Sequence, residues 1–217
     1  MKVLILQVKM SLNAYLYECM NCSKKIFVPA LVLSSLLVFS SCGIFDHRDA
    51  EDPSGPRANF RQPVQPEDVL DNLKNALKDK NVDNYLACFA DSNFSNKEFI
   101  FSPSAGAASQ FPDLADMWNK KNEEHYFNSL KIRIPENVQI TLTLSNENLN
   151  QPGDSVIYTA SYTLSVPHND TDIPMNYQGD LRFSMARDLR SIWSIYYWVD
   201  IKRDDEPSWS ELKGRFY

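Results

Sequence analysis

Three successive runs in the second half of this chain place an apolar residue at every other position, a period that a strand satisfies and a helix does not. Val138, Ile140, Leu142 and Leu144 alternate with Gln139, Thr141 and Thr143. Val156, Tyr158, Ala160, Tyr162, Leu164 and Val166 alternate with Thr159, Ser161, Thr163 and Ser165. Tyr177, Gly179, Leu181, Phe183 and Met185 alternate with Gln178, Asp180, Arg182 and Ser184. A fourth run, SIWSIYYWVDIK, is apolar on both faces, which predicts a central or strongly curved strand. Turn segments separate the four: Pro152-Gly153-Asp154, then PHNDTDIP, then ARDLRS. Antiparallel hairpins with one buried and one Thr/Ser-rich face follow from this pattern.

The first half reads as helices. In PEDVLDNLKNALKDKN, from Pro66, the residues Val69, Leu70, Leu73, Ala76 and Leu77 share a helical face. Pro66, Glu67 and Asp68 at its start and lysines at its end suit the helix dipole. VDNYLACFAD predicts a second short helix with Tyr85, Leu86, Phe89 and Ala90 on one side. Residues 91–113 read as irregular, with FIFSPS as a short extended piece. A third helix is expected from about Leu114 to Leu130, with Met117, Trp118, Tyr126, Phe127 and Leu130 as its stripe. The fold class is therefore α+β: three N-terminal helices packed against a strongly curved antiparallel sheet of about four long strands. No internal repeat occurs at a fixed period.

The segment KKIFVPALVLSSLLVFSSC, residues 24–42, has two lysines, an uncharged run from Ile26 to Phe39, two serines and Cys42. That is the pattern of a secretory signal peptide, shorter than the roughly 20 residues of a membrane span. Phe39-Ser40-Ser41-Cys42 resembles the lipobox of bacterial lipoproteins, with Phe where Leu is usual. By that resemblance residues 1–41 are the signal peptide, Cys42 is the lipidated residue, and the chain is a membrane-anchored protein of the bacterial cell envelope. Gly43 after the cysteine favours the outer membrane over the inner. MNCSKK fits a signal start better than the residues before it, so Met20 is the expected true start. Cys19 and Cys22 form a C-x-x-C upstream of the expected cleavage and carry no redox or metal reading there.

Removing Lys2, Lys9, Lys24, Lys25 and Glu18 from 22 basic and 28 acidic residues leaves 18 and 27, a net charge of −9. So acidic a chain does not fit a dedicated nucleic-acid binder. Of the four cysteines, Cys88 alone would remain free, and its apolar helical setting predicts a buried structural thiol. Residues 42–65, with three prolines, two glycines and no periodicity after Cys42, read as a lipidated tether. The domain then spans 66–217 and ends in a C-terminal tail.

The order of elements resembles the nuclear transport factor two-like superfamily, a cystatin-like cone whose sheet wraps a long helix and often leaves a pocket. NYQGDLRFSMARD and SIWSIYYWVDIK are similar to its last two strands, and LKDKNVDNYLACFADSNF to the end of its first helix and the start of its second. PSWSELKGRFY is similar to a carboxy-terminal segment of some lipoproteins of this kind. The resemblance covers residues 66–205. It implies a fold that hosts enzymes, binding domains and scaffolds alike.

Chemistry-bearing motifs are sparse. The histidines His47, His125 and His168 fall in the tether, a helix and a turn, and no metal-site spacing links them. HNDTD at 168–172 reads as a turn. No nucleotide loop or nucleophile elbow is present, and no cofactor is expected. By the resemblance, a pocket would be lined by Tyr85, Trp118, Tyr158, Tyr162, Phe183 and Trp198, with His125, Asp180 and Asp200 as candidate bases. Each base has a plainer reading: His125 solvated beside Glu123 and Glu124, Asp180 in an exposed cross-strand ion pair, Asp200 as a cap at a strand end. The aromatics read first as core. The expected function is non-catalytic binding of a small apolar ligand or an envelope protein. The alternatives are a lyase or isomerase working by proton transfer and a self-associating scaffold, a homodimer through the sheet.

Overall fold

In this computed structural model the described residues are 59–114 and 116–217. The signal segment, Cys42 and the tether up to residue 58 lie outside them. Helix α1 (Pro66–Asp79) begins where expected, with the Gln65 amide donating to Asp68 at 2.9 Å. It ends at Lys80, whose φ of 50° turns the chain. The buried Lys80 Nζ then donates to the carbonyls of Pro135, Glu136 and Val138, at 2.8, 2.8 and 2.7 Å. One side chain thus satisfies three carbonyls just past a later helix, where no helical partner exists for them. Helix α2 (Val82–Ala87) is capped by Asn81 and buries Tyr85. Cys88 is a buried free thiol that donates to the Asn84 carbonyl, and burial pushes its pKa up, which fits the structural reading.

Strand β1 (Ile100–Ser102) is the short extended piece expected from FIFSPS. The next segment departs from expectation. SAGAAS is not irregular: Ala105–Gln110 forms helix α3, followed by a 3-10 turn at Pro112–Leu114. Helix α4 (Lys120–Arg133) starts six residues later than expected. Asn119 stops it there by accepting from the amides of Lys121 and Asn122, while Asn122 accepts from the Asn119 amide. Met117, placed on the stripe by spacing, is 71% exposed, and Trp118 precedes the helix in an extended bridge to Phe101.

The four long strands are β2 (Thr141–Asn150), β3 (Ser155–Ser165), β4 (Asn176–Arg187) and β5 (Trp193–Lys202). Sheet order is β1-β5-β4-β3-β2, antiparallel except for β1, which runs parallel to β5 with Phe101 opposite Trp198. The expected central place of β5 is thus met by the short strand at its outer side. Helix α1 packs against both β2 and β5, which a flat sheet would separate by about 14 Å. A helix about 10 Å across reaches both only if the sheet curves around it. A bulge between Ser184 and Met185 and another between Ser145 and Asn148 add bend and twist.

The C-terminal segment is not a tail. Trp209–Phe216 forms helix α5, and Trp209, Leu212, Lys213 and Phe216 are buried. Gly214 lets it lie against Phe111, whose ring would stand 2.3 Å from an added Cβ. The fold is α+β as expected, with two short helices added to the expected three.

Candidate functional site

Helices α4 and α5 meet inside the curved sheet, and each brings one charge into an aromatic interior. Glu123 lies on the same face of α4 as Tyr126, Phe127 and Leu130, and is fully buried. Lys213 lies on the same face of α5 as Trp209, Leu212 and Phe216, and is also fully buried. The Lys213 ammonium donates to both oxygens of Glu123, at 2.6 and 2.5 Å. Glu123 also accepts from the Tyr85 hydroxyl at 2.5 Å and from Trp118 Nε1 at 2.6 Å. Four hydrogen bonds from three donor groups use the full capacity of a carboxylate.

Above the ammonium stand aromatic faces. Lys213 Nζ is 3.8 Å from the ring centres of both Phe101 and Trp198, with Tyr126 and Trp118 at 5.4 and 5.5 Å. Desolvated cation–π contacts of this kind contribute up to about 2 kcal/mol each. Burial pulls the Lys213 pKa below its ordinary value, and the Glu123 charge opposes that shift.

A second polar cluster holds the start of α5. Asp200, on β5, is buried and accepts from the Tyr162 hydroxyl at 2.7 Å. Its other oxygen accepts from the Ser210 amide at 2.8 Å and the Ser210 hydroxyl at 2.5 Å. The Tyr162 hydroxyl in turn accepts from the Trp209 amide at 2.7 Å, and Ser208 Oγ accepts from the Glu211 amide at 3.4 Å. The first three amides of α5 are all satisfied this way, which a buried helix end requires. Gly179 makes the arrangement fit: a Cβ there would lie 2.7 Å from both the Ile201 carbonyl and the Tyr162 hydroxyl. Burial raises the Asp200 pKa, against the lowering effect of its hydrogen bonds.

All six sequence-predicted pocket residues are buried, at 0–2% exposure. Tyr85, Trp118 and Trp198 surround the Glu123–Lys213 pair, and Tyr162 belongs to the Asp200 cluster. Phe183 packs edge-on against Trp198 with centroids 5.3 Å apart. Tyr158 stacks on Phe183 but sends its hydroxyl away to Glu147 at 2.6 Å. The space these rings would line as a pocket is occupied by Trp209 and Lys213. Trp209 stands edge-on to Trp198 at 4.6 Å and donates from Nε1 to the Tyr126 hydroxyl.

Among the three candidate bases, His125 is exposed, beside the Tyr217 ring. Asp180 forms an ion pair at 2.8 Å with Arg203, the residue directly after the paired strand β5, and accepts from the Ser161 hydroxyl on β3 at 2.8 Å. Asp200 does act as a cap, for α5. His168 is buried in the HNDTD turn, where Nδ1 accepts from the Asp170 amide and Nε2 faces the Pro174 carbonyl. No group of three metal-ligating side chains occurs among the described residues, and no helix there is long and apolar enough to cross a membrane.

Sequence reasoning missed Glu123 and Lys213. The signal was present: Glu123 sits three and four residues before Tyr126 and Phe127, and Lys213 four residues after Trp209. A charge on an apolar stripe marks a buried charge that needs a partner.

The surface does carry clefts. One of about 410 Å³ is lined by Phe60, Pro63, Leu86, Phe94, Lys120 and Arg190, among others. The chain enters the domain there: the Trp193 amide donates to the Pro63 carbonyl. Val64, Phe94 and Leu189 on this side are 55%, 40% and 85% exposed.

No protein-family model and no curated protein matches the sequence. Solved structures do resemble the fold. An NTF2-like protein of unknown function from Pseudomonas putida is 10% identical, with 64% of this chain and 84% of that one covered at a TM-score of 0.47. An NTF2-like protein from Cytophaga hutchinsonii is 10% identical, over 63% and 94%, at 0.46. A cystatin-like protein of unknown function from Nostoc punctiforme is 11% identical, over 65% and 90%, at 0.44. These similarities concern the chain trace alone. The chemistry of the site rests on its own residues.

Proposed function

We propose that this chain is an exported, lipid-anchored envelope protein whose NTF2-like α+β domain works by binding rather than by catalysis. The observation that carries the binding reading is the closed interior: α5 fills the space between the aromatic rings, and both inner carboxylates are engaged on both oxygens by the chain's own donors. A filled interior supports a protein partner at the surface over a small apolar ligand within. The apolar rim of Val64, Phe94 and Leu189 beside the cleft offers a surface suited to such contact. The lipid anchor is supported by the sequence at Ser40-Ser41-Cys42, behind an uncharged run. A proton-transfer enzyme would need a free base facing a cavity, and Asp200, the best buried of the candidates, is engaged on both oxygens.

Replacing Cys42 with alanine is expected to move the full-length protein from the membrane fraction of a bacterial host to the soluble fraction, with loss of radiolabelled palmitate. A Cys42→Ala protein that stays membrane-bound at unchanged precursor size would overturn the anchor. It would leave the domain's binding role to be judged by the interior.

A further inference from the structure

We propose that the Glu123 carboxylate and the faces of Phe101 and Trp198 form a recognition site for an alkylammonium group, which the chain's own Lys213 occupies as a built-in competitor. This goes beyond the surface reading above and does not depend on the lipid anchor.

The geometry is that of a receptor for a cation. A carboxylate at 2.5–2.6 Å from Lys213 Nζ supplies the counter-charge, and two ring faces at 3.8 Å supply the walls. Tyr85 and Trp118 hold the carboxylate in place with a hydrogen bond each. Only part of this site belongs to α5. Glu123, Phe101, Trp118, Tyr85 and Trp198 come from α4, β1, the segment before α4, α2 and β5. The cage is therefore built by the rest of the domain, and α5 contributes its occupant.

The occupant and its Ser208 cap bring buried polar groups into the core beside the apolar Trp209, Leu212 and Phe216. Ser208, Ser210, Glu211 and Lys213 are all buried. These polar side chains return to water at less cost than apolar ones of equal size, which lowers the cost of displacement against the burial of Trp209, Leu212 and Phe216. A helix of eight residues has little stability apart from its packing. The exposed loop Arg203–Glu206 connects it to β5 and can take up its displacement. A ligand bearing a primary ammonium on an alkyl stem reproduces what Lys213 presents. A neutral or anionic ligand would leave Glu123 buried without a counter-charge, a strongly unfavourable outcome. The site therefore selects amines over alcohols and carboxylates of the same length.

The test uses the full-length chain carrying Lys213→Ala, which removes the ammonium and most of the stem and keeps the helix. Propylammonium chloride is expected to raise its thermal midpoint saturably, by roughly 5–10 °C at about 100 times the dissociation constant. Equal concentrations of n-propanol or potassium chloride should not do so. The effect should vanish in the Glu123→Gln/Lys213→Ala double variant. No rescue, rescue matched by propanol, or rescue that survives Glu123→Gln each overturns the proposal. If Lys213→Ala does not fold, the wild-type chain decides. Butylammonium, and not butanol, should then accelerate amide hydrogen exchange selectively within residues 209–216, and unchanged exchange there overturns the proposal. Membrane fractionation of Cys42→Ala is unaffected by either result, so the two readings fail separately.

Discussion

Replacing Glu123 with glutamine is expected to cost the domain about 3–5 kcal/mol, because it leaves the Lys213 ammonium buried without a counter-charge. The residue is fully buried and so is its partner, so solvent cannot screen the loss. The lysine has one escape, which is to release its proton. That route is bounded by its ordinary pKa of 10.5: at neutral pH it costs about 5 kcal/mol at most. Adding Lys213→Met to Glu123→Gln removes the orphaned charge and refills the volume, and at least half of the lost stability should return. Urea unfolding of wild type, both single variants and the double variant measures the coupling. A Glu123→Gln loss under about 1 kcal/mol would show that the pair is not buried as described.

Asp200→Ala is the second large effect. It strips the acceptor from the Tyr162 hydroxyl, the Ser210 amide and the Ser210 hydroxyl, all inside the core. Unsatisfied buried donors cost about 1–3 kcal/mol each. Release from burying the carboxylate offsets part of this, so the expected net loss is about 3 kcal/mol. Asp200→Asn keeps one acceptor and should cost less.

The pH dependence follows from the raised pKa. The folded chain holds the Asp200 proton above the unfolded value of 3.8, so it binds more protons than the unfolded chain in that range. Asp200's contribution is therefore fully present below 3.8 and is lost as pH rises through the folded value. Wild-type stability measured relative to Asp200→Asn should fall as pH rises from about 4. A gap that stays constant or widens over that range would contradict the burial of this carboxylate.

The sheet was legible in the sequence because its signal is local. Period-two alternation at 138–144, 156–166 and 177–185 reports one face at a time, and the strands found there keep the stated faces. The strand running to Asn150 was not legible, since Ser145 to Asn150 has no alternation and pairs only through β3. The pairing of Phe101 with Trp198 joins residues far apart in sequence, and no local pattern carries it. Spacing alone starts α4 too early because Met117 and Trp118 fit the stripe, whereas the Asn119 cap is the stronger start signal. The six aromatic side chains were recognised as interior, but the occupant of the interior was not. Lys213 lies in a terminal segment without a strong apolar pattern, and Glu123 stands next to exposed Glu124 in sequence while sharing its face with Tyr126 and Phe127. Buried charge pairs escape a reading by hydropathy because each partner looks solvated until the other is seen.

The central claim is that Lys213 sits inside the domain, against Glu123 and between Phe101 and Trp198. Nitrogen-selective NMR of the lysine side chains in the full-length protein tests it directly. The expected result is one ammonium that exchanges slowly with water. Its methylene protons should be shifted upfield by the two rings, with cross-relaxation to the ring protons of Trp198 and Phe101. The shift should collapse in Glu123→Gln. A Lys213 ammonium in fast exchange, with ordinary methylene shifts and no contact to either ring, would contradict the account.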